Sequence, residues 1–408
     1  MVKKEAKWSR RDFLRQGAGA MATVAGITLV SPMAVRGTEA NSRIKAGMVG
    51  VGGRGAWIAD LLKEHGGYEI TAVADYFARK AQAVGDKLKV PPKRRFSGLD
   101  GYKQLVASGV EAVFLETPPY FFPELASAAV DAGCHVYMAK PVAVDVPGSL
   151  KIAELGKKAT TQKTVFVVDF QTRTDPHHQE AIKRLHEGAL GKIATIQSFY
   201  NDEGFSDPPL TNTIEPRLEK LIWSNDYELG GSFILNCDIH ALDVVCWVTG
   251  RLPVRARGAG ARNRPDPHGG SLDTYCVTYE YDDGMLLSHF SEHFANRYSG
   301  NIGCIAYGQG GYLETNYFKK TWMLGGKQPY RGDVPDNLYV NGARRNIATF
   351  HDSIVQGLYD NPTVPSSVES NLTAILGREA ARRQTTLTMK QVLDAQETLT
   401  LDLSGLQR

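Results

Sequence analysis

The stretch RIKAGMVGVGGRGAWIADLLKE, residues 43–64, decides the fold. Ile44 to Val49 reads as a short buried strand, an apolar run without helical period. Gly50-Val51-Gly52-Gly53-Arg54-Gly55 follows, and then Trp57, Ile58, Leu61 and Leu62 recur at helical spacing. A GxGxxG placed between a strand and a helix is the setting in which that motif takes a dinucleotide. Gly50 permits the tight turn, Gly52 lets the backbone approach a pyrophosphate, and Gly55 lets the helix pack close to the strand. The helix N-terminus, at Gly53 and Arg54, presents free N–H groups to the phosphates.

Downstream, YEITAVAD ends at Asp75, about 25 residues beyond Gly50. A carboxylate there accepts hydrogen bonds from the adenosine ribose, which favours NAD. Arg79 and Lys80 lie just beyond and leave NADP open. The alternation continues through GVEAVFLETPP, FFPELASAAVDAG, CHVYMAKP, VPGSLKIAELGKKA and TVFVVDF. Strands alternating with helices predict an α/β fold with a doubly wound parallel sheet over residues 41–168. Ligands of such sheets sit at the carboxyl ends of the strands. Asp75, Thr117, Pro118 and Lys140 all fall there and are expected to line one cleft.

Upstream, residues 1–40 have the three-part plan of an export signal: a basic start, an apolar middle and a small-residue end. Arg10-Arg11 followed by Asp12-Phe13-Leu14 resembles the twin-arginine signal, with cleavage expected after Ala40. The apolar part is too short and too rich in glycine and alanine to span a bilayer, so no stable span is expected after cleavage. The expected partner is the twin-arginine machinery, and the expected location is periplasmic or otherwise exported by that route. That route carries folded proteins, so the cofactor is expected to be tightly bound.

The 408 residues are 42% hydrophobic, enough for about two domains. The net charge of +3 carries no long run of one sign and implies no nucleic-acid partner. Five scattered cysteines form no CxxC pair and no zinc spacing, so no metal is assigned.

After Phe170 the pattern changes to period-two stretches such as KIATIQSFYND and LDTYCVTYEYDDGMLLSHFSE. They predict an α+β domain over residues 169–408 with an open, mostly antiparallel sheet. An open sheet face seeks a partner, so a homo-oligomer is expected. SFILNCDIHALDVVCWVTG reads as one long helix that sets Asn236 and His240 on one face, with Asp243 nearby. A helix at about 366–384 is expected to pack back on the first domain.

Taken together, the glycine loop, ETPP, AGCHVYMAKP, QTRTDPHHQEAIKRLHEGALGKI and GGSFILNCDIHALDVVCWVTG resemble the glucose–fructose oxidoreductase/inositol dehydrogenase/rhizopine-catabolism (Gfo/Idh/MocA) family. The resemblance implies hydride transfer between a nicotinamide and a sugar or polyol. The family's usual Glu-Lys-Pro is Ala139-Lys140-Pro141 here, and its TP-turn histidine falls near Phe122. Its usual aspartate is Asn236, and Asp238 stands where glycine is common. The plan is retained and the site altered.

Alcohol oxidation needs a proton acceptor and a donor facing the developing alkoxide. His240 is read as the acid/base and Lys140 as its electrostatic partner, with the roles exchangeable. Asn236 or Asp238 is expected to orient them or grip a hydroxyl. Arg173 either binds substrate or stitches the domains together, and Asp243 is a further substrate candidate. Asp238, His240 and Asp243 fit no strong metal motif. The leading expectation is an exported NAD(P)-dependent oxidoreductase of a carbohydrate. The alternatives are a redox-neutral glycoside-cleaving enzyme and a non-catalytic sugar-binding protein.

Overall fold

Six short strands make one parallel sheet in the computed structural model, which describes residues 43–408 apart from Asn212, Ala295 and Ser299. The segment read as an export signal lies outside the described residues. The strands are β1 (Ile44–Val49), β2 (Tyr68–Asp75), β3 (Arg95–Ser97), β4 (Ala112–Leu115), β5 (His135–Ala139) and β6 (Phe166–Asp169). Their order is β3-β2-β1-β4-β5-β6, and every neighbouring pair is parallel. The chain order reverses beside β1, the place where such sheets open a crevice for ligand. β4 and β6 are buried along their whole length, as strands covered on both faces must be.

Helices α1 (Gly53–His65), α2 (Ala78–Leu88), α3 (Gly101–Ala107), α4 (Phe122–Asp131) and α5 (Val146–Gln162) cover the sheet. α1 stops at Gly66, which takes the left-handed conformation. α5 starts at Asp145, whose side chain accepts the Gly148 N–H at 2.8 Å, with Pro147 in the first turn.

A later helix, α7 in the order α6 (Ile239–Thr249), α7 (Leu338–Gln356) and α8 (Thr363–Arg383), also covers this sheet. Its Ala343, Ile347 and Phe350 are buried in the core with Phe114 and Tyr137. Phe350 meets Phe114 edge-on at 5.5 Å. The Tyr68 hydroxyl donates to the Ile347 carbonyl at 2.9 Å. Truncating so buried a ring costs about 3–5 kcal/mol. α8 lies against α5, where Asn371 donates to Ser149 Oγ at 2.8 Å, and against the loop before it, where Asn371 donates to the Ala143 carbonyl and Arg378 to the Val144 carbonyl.

The remaining strands are β7 (Ile193–Asn201), β8 (Arg255–Ala261), β9 (Thr274–Glu280), β10 (Leu286–Glu292), β11 (Asn301–Gly308), β12 (Gly311–Asn316), β13 (Trp322–Gly325), β14 (Tyr330–Arg331) and β15 (Thr386–Thr388). They form a nine-stranded sheet in the order β14-β13-β12-β11-β7-β10-β9-β8-β15. Every pairing is antiparallel except that of β7 with β10. Along β9, Tyr275, Val277 and Tyr279 are buried and Cys276 and Thr278 exposed. One face is therefore core, packed against α6 and α8, and the other is open. Leu286 and Phe290 stand exposed on the open face. Among the described residues no single helix is long and apolar enough to cross a membrane.

The long helix expected over SFILNCDIHALDVVCWVTG is two pieces. One turn, Phe233–Asn236, ends at Cys237, and α6 begins at Ile239. The direction changes by 57° between Tyr227–Asn236 and α6. The reason lies in Asp238, whose carboxylate is held by three side chains of the sheet region, described below.

Candidate active site

A cavity of about 810 Å³ runs from the glycine loop to the second sheet. At one end stand Gly50, Gly52, Gly53, Asp75, Thr117 and Pro118. At the other stand Lys140, Asn236, Cys237, His240 and Tyr317. The parallel sheet brings its residues there because β1, β2, β4 and β5 all end at one rim.

The glycine loop has the shape a dinucleotide needs. Gly50 has φ +84, and a Cβ on it would lie 2.7 Å from the Glu116 carbonyl oxygen. A Cβ on Gly55 would collide with the Gly50 carbonyl. Both glycines are therefore required by the chain's own packing. Gly52 and Gly53 are different. A Cβ on Gly52 would meet only Lys80 Nζ, at 3.9 Å, and one on Gly53 would meet nothing. The protein does not fill the space above them, at the N-terminus of α1, which suits a pyrophosphate. Asp75 closes this end. Its Oδ2 accepts the Val51 N–H and its Oδ1 the Phe77 N–H, each at 2.9 Å. Each oxygen keeps a lone pair for a ribose hydroxyl.

At the other end, Lys140 leaves β5 and its Nζ donates to the Asn236 carbonyl oxygen. Burial lowers its pKa to about 8, with Cys237 opposing the fall and Arg54 adding to it. Burial, then the charges of Lys140 and Arg54, hold His240 well below the usual histidine range. The imidazole is thus neutral near pH 7, and its Nδ1 has no hydrogen-bond partner among the described residues. Tyr317 and Phe170 flank it edge-on. The Asn236 amide is turned away to Ser224 Oγ, at 3.0 Å, so this residue meets Lys140 through its backbone.

Three sequence candidates stand elsewhere. Asp238 is fully buried and accepts from His289 Nε2 at 3.1 Å, Ser291 Oγ at 2.6 Å and His293 Nε2 at 2.6 Å. It anchors the helix break to β10 and does not line the cavity. Burial opposes its charge, yet His293 and His289 outweigh that and hold it well below the carboxylate range. Asp243 is fully buried and accepts both Arg173 Nε, at 2.9 Å, and Ser370 Oγ, at 2.7 Å. Arg173 also lies over the Trp247 ring. The pair is a clamp, and neither Arg173 nor Asp243 is among the residues that line the cavity. Asp238, His240 and Asp243 point three ways and form no common site.

Arg54, expected from the sequence at the phosphate end, also belongs to a group beside the cavity whose other members were not singled out. The Arg54 side chain ion-pairs with Glu116, at 3.0 Å, and with Asp169. Asn346 of α7 donates to Asp169 at 2.7 Å, and Tyr339 accepts from Arg54 at 3.2 Å. Trp57 stacks on Tyr339 at 4.8 Å. Burial works against the Arg54 charge, but the two carboxylates more than offset it. Burial pushes Glu116 up to about 7, Arg54 opposing and Asp169 adding. The signal was available: Glu116 and Asp169 are ionisable residues at strand ends, the same feature that marked Lys140.

Two family models match the chain in series: the oxidoreductase family with NAD-binding Rossmann fold over residues 44–170, and the GFO/IDH/MocA C-terminal domain over residues 178–314. The chain belongs to the Gfo/Idh/MocA oxidoreductase family. Among curated relatives, the inositol 2-dehydrogenase of Corynebacterium glutamicum (strain R) is 23% identical over 245 residues, 60% of this chain. The match spans 65% of that enzyme, just under two thirds of its length. The 2,7-anhydro-N-acetylneuraminate hydratase of Escherichia coli K12 is 27% identical over 254 residues, 60% of each chain. The aldose-aldose oxidoreductase from Caulobacter crescentus superposes with a TM-score of 0.66 at 19% identity, covering 85% of this chain and 100% of that one. Within this Gfo/Idh/MocA frame the parallel sheet is the NAD-binding domain, and the cavity lies where it meets the family's C-terminal domain.

Proposed function

We propose that the chain is an exported NAD(H)-dependent oxidoreductase that transfers hydride between a tightly held cofactor and a sugar, glycoside or polyol. The observation that carries this reading is the meeting of Lys140 and His240 in the cavity that begins at the Gly50–Gly55 loop. The nicotinamide, when bound, supplies the hydride acceptor or donor. Neutral His240 takes the proton of the reacting hydroxyl and returns it in the reverse direction. Charged Lys140 faces the oxygen on which negative charge develops. The Asn236 carbonyl fixes the lysine for that task.

Retention of the cofactor is supported by the C-terminal segment. Leu401, Leu403 and Leu406 pack with Tyr76, Phe77 and Leu218. The Leu99 N–H donates to the Gln407 carbonyl at 2.8 Å, and the Gln407 N–H donates to the Tyr76 hydroxyl at 3.3 Å. Tyr76, Phe77, Leu99 and Leu218 line the Asp75 end of the cavity, so this segment backs its wall. Export is supported by the twin-arginine pattern at Arg10-Arg11. Self-association is supported by the open face of the nine-stranded sheet, with exposed Leu286 and Phe290.

A redox-neutral course is the second reading, favoured by the relative named as a hydratase. In it His240 takes the proton of a ring hydroxyl and Lys140 faces the oxygen while the hydride of that hydroxyl's carbon passes to bound NAD+. A neighbouring bond is then lost by elimination, and the hydride returns from the reduced cofactor. A panel of sugars, polyols and aryl glycosides without added acceptor separates the two. Ketone formed in proportion to enzyme indicates the oxidoreductase, and repeated aglycone release indicates the redox-neutral course. Neither outcome, with sugar bound unchanged, leaves a carbohydrate-binding protein.

A further inference from the structure

Just beyond Asp75, Arg79 and Lys80 stand where the phosphate on an NADP ribose would need cations. Both are already paired. Glu219 ion-pairs with Arg79, and its other oxygen lies 3.3 Å from Lys80 Nζ. Lys80 is half-buried at the mouth of the phosphate cradle, where its Nζ is the nearest atom to a Cβ on Gly52. Glu219 comes from the second domain, between the short 3-10 helices Glu215–Leu218 and Lys220–Asn225. That segment is held in place by the Tyr76 hydroxyl, which donates to Glu215 at 3.0 Å, and by Leu218, packed on Tyr76 and Phe77.

We infer that Glu219 is a specificity residue that excludes NADP by neutralising Arg79 and Lys80 from across the cleft. The inference rests on the dinucleotide reading above and deepens it. Exposed pairs of this kind add little to stability, since Arg79 is mostly solvated. Their effect on a ligand is larger, because a phosphate placed there meets the Glu219 and Asp75 carboxylates and no unpaired partner among Arg79 and Lys80. NAD offers only ribose hydroxyls, which Asp75 accepts. Lys220 also lines the cavity and is unchanged in the variants below.

The test is the dissociation constant of NADH and of NADPH for protein freed of bound nucleotide, read by nicotinamide fluorescence. Wild type is expected to prefer NADH. Glu219→Gln is expected to tighten NADPH about tenfold and leave NADH unchanged. Adding Arg79→Ala to that variant is expected to remove the gain, which ties it to the freed guanidinium. An NADH/NADPH ratio in Glu219→Gln equal to that of wild type, with NADH still bound, overturns the inference. Wild-type protein that binds neither dinucleotide overturns the cofactor reading and this inference with it.

Discussion

Lys140, at the end of the fifth strand of the NAD-binding domain, donates its ammonium proton to the backbone carbonyl of Asn236 in the second domain. One hydrogen bond thus sets the reacting end of the cavity from both domains. It also explains why a lysine ends an apolar strand. The side chain leaves the buried sheet and is caught by an acceptor that keeps it charged and aimed.

The charge on Lys140 dictates a pH limb. Its pKa is lowered to about 8, chiefly by burial, so the ammonium form is lost above that pH. If the ammonium stabilises the reacting oxygen, kcat/KM falls as the pH rises through about 8. Lys140→Arg moves that limb upward, and Lys140→Ala lowers kcat/KM about 100- to 1,000-fold. A profile that stays flat to pH 10 removes Lys140 from this role.

His240→Ala is expected to lower kcat about 100- to 10,000-fold while dinucleotide binding stays intact. Steady-state rates and NADH titration on one preparation separate the two effects. Turnover at the wild-type rate contradicts the acid/base assignment.

Asp238 is expected to be structural. Removing it strands His289, Ser291 and His293 without their shared acceptor, and Asp238→Ala should cost about 3–5 kcal/mol. Because its folded pKa is depressed, its stabilisation is present above the ordinary value of 3.8 and is lost as the pH falls. Denaturant melts measure this. A variant of wild-type stability without turnover would return Asp238 to the active site.

Glu116 behaves in the opposite sense. Arg54, Glu116 and Asp169 together hold one excess negative charge, which a proton on Glu116 removes. Its pKa rises from 4.5 to about 7 on folding, chiefly by burial, so its contribution is full below 4.5 and lost as the pH rises through 7. Glu116→Gln is therefore expected to gain on wild type between these values, by up to about 3 kcal/mol. Melting temperatures of both proteins from pH 5 to 8 test it, and a constant difference contradicts it.

The parallel sheet was legible because GxGxxG constrains the local backbone and the following strands repeat the same pattern. The antiparallel sheet was legible from alternation such as that of β9. Local period failed where distant partners decide. Asp238 and His240 lie two residues apart and face opposite ways, because His289, Ser291 and His293 hold Asp238 from about 50 residues downstream. Helical spacing alone could not show the break at Cys237. Arg173 and Asp243 similarly found each other across 70 residues, and neither reaches the cavity.

The most direct test of the central claim is to denature the purified, processed protein and assay the released material for nicotinamide dinucleotide by absorbance and enzymatic cycling. The account predicts close to one NAD(H) per chain, with little NADP(H). Release of none, from a folded protein that also fails to bind added NADH, would contradict it.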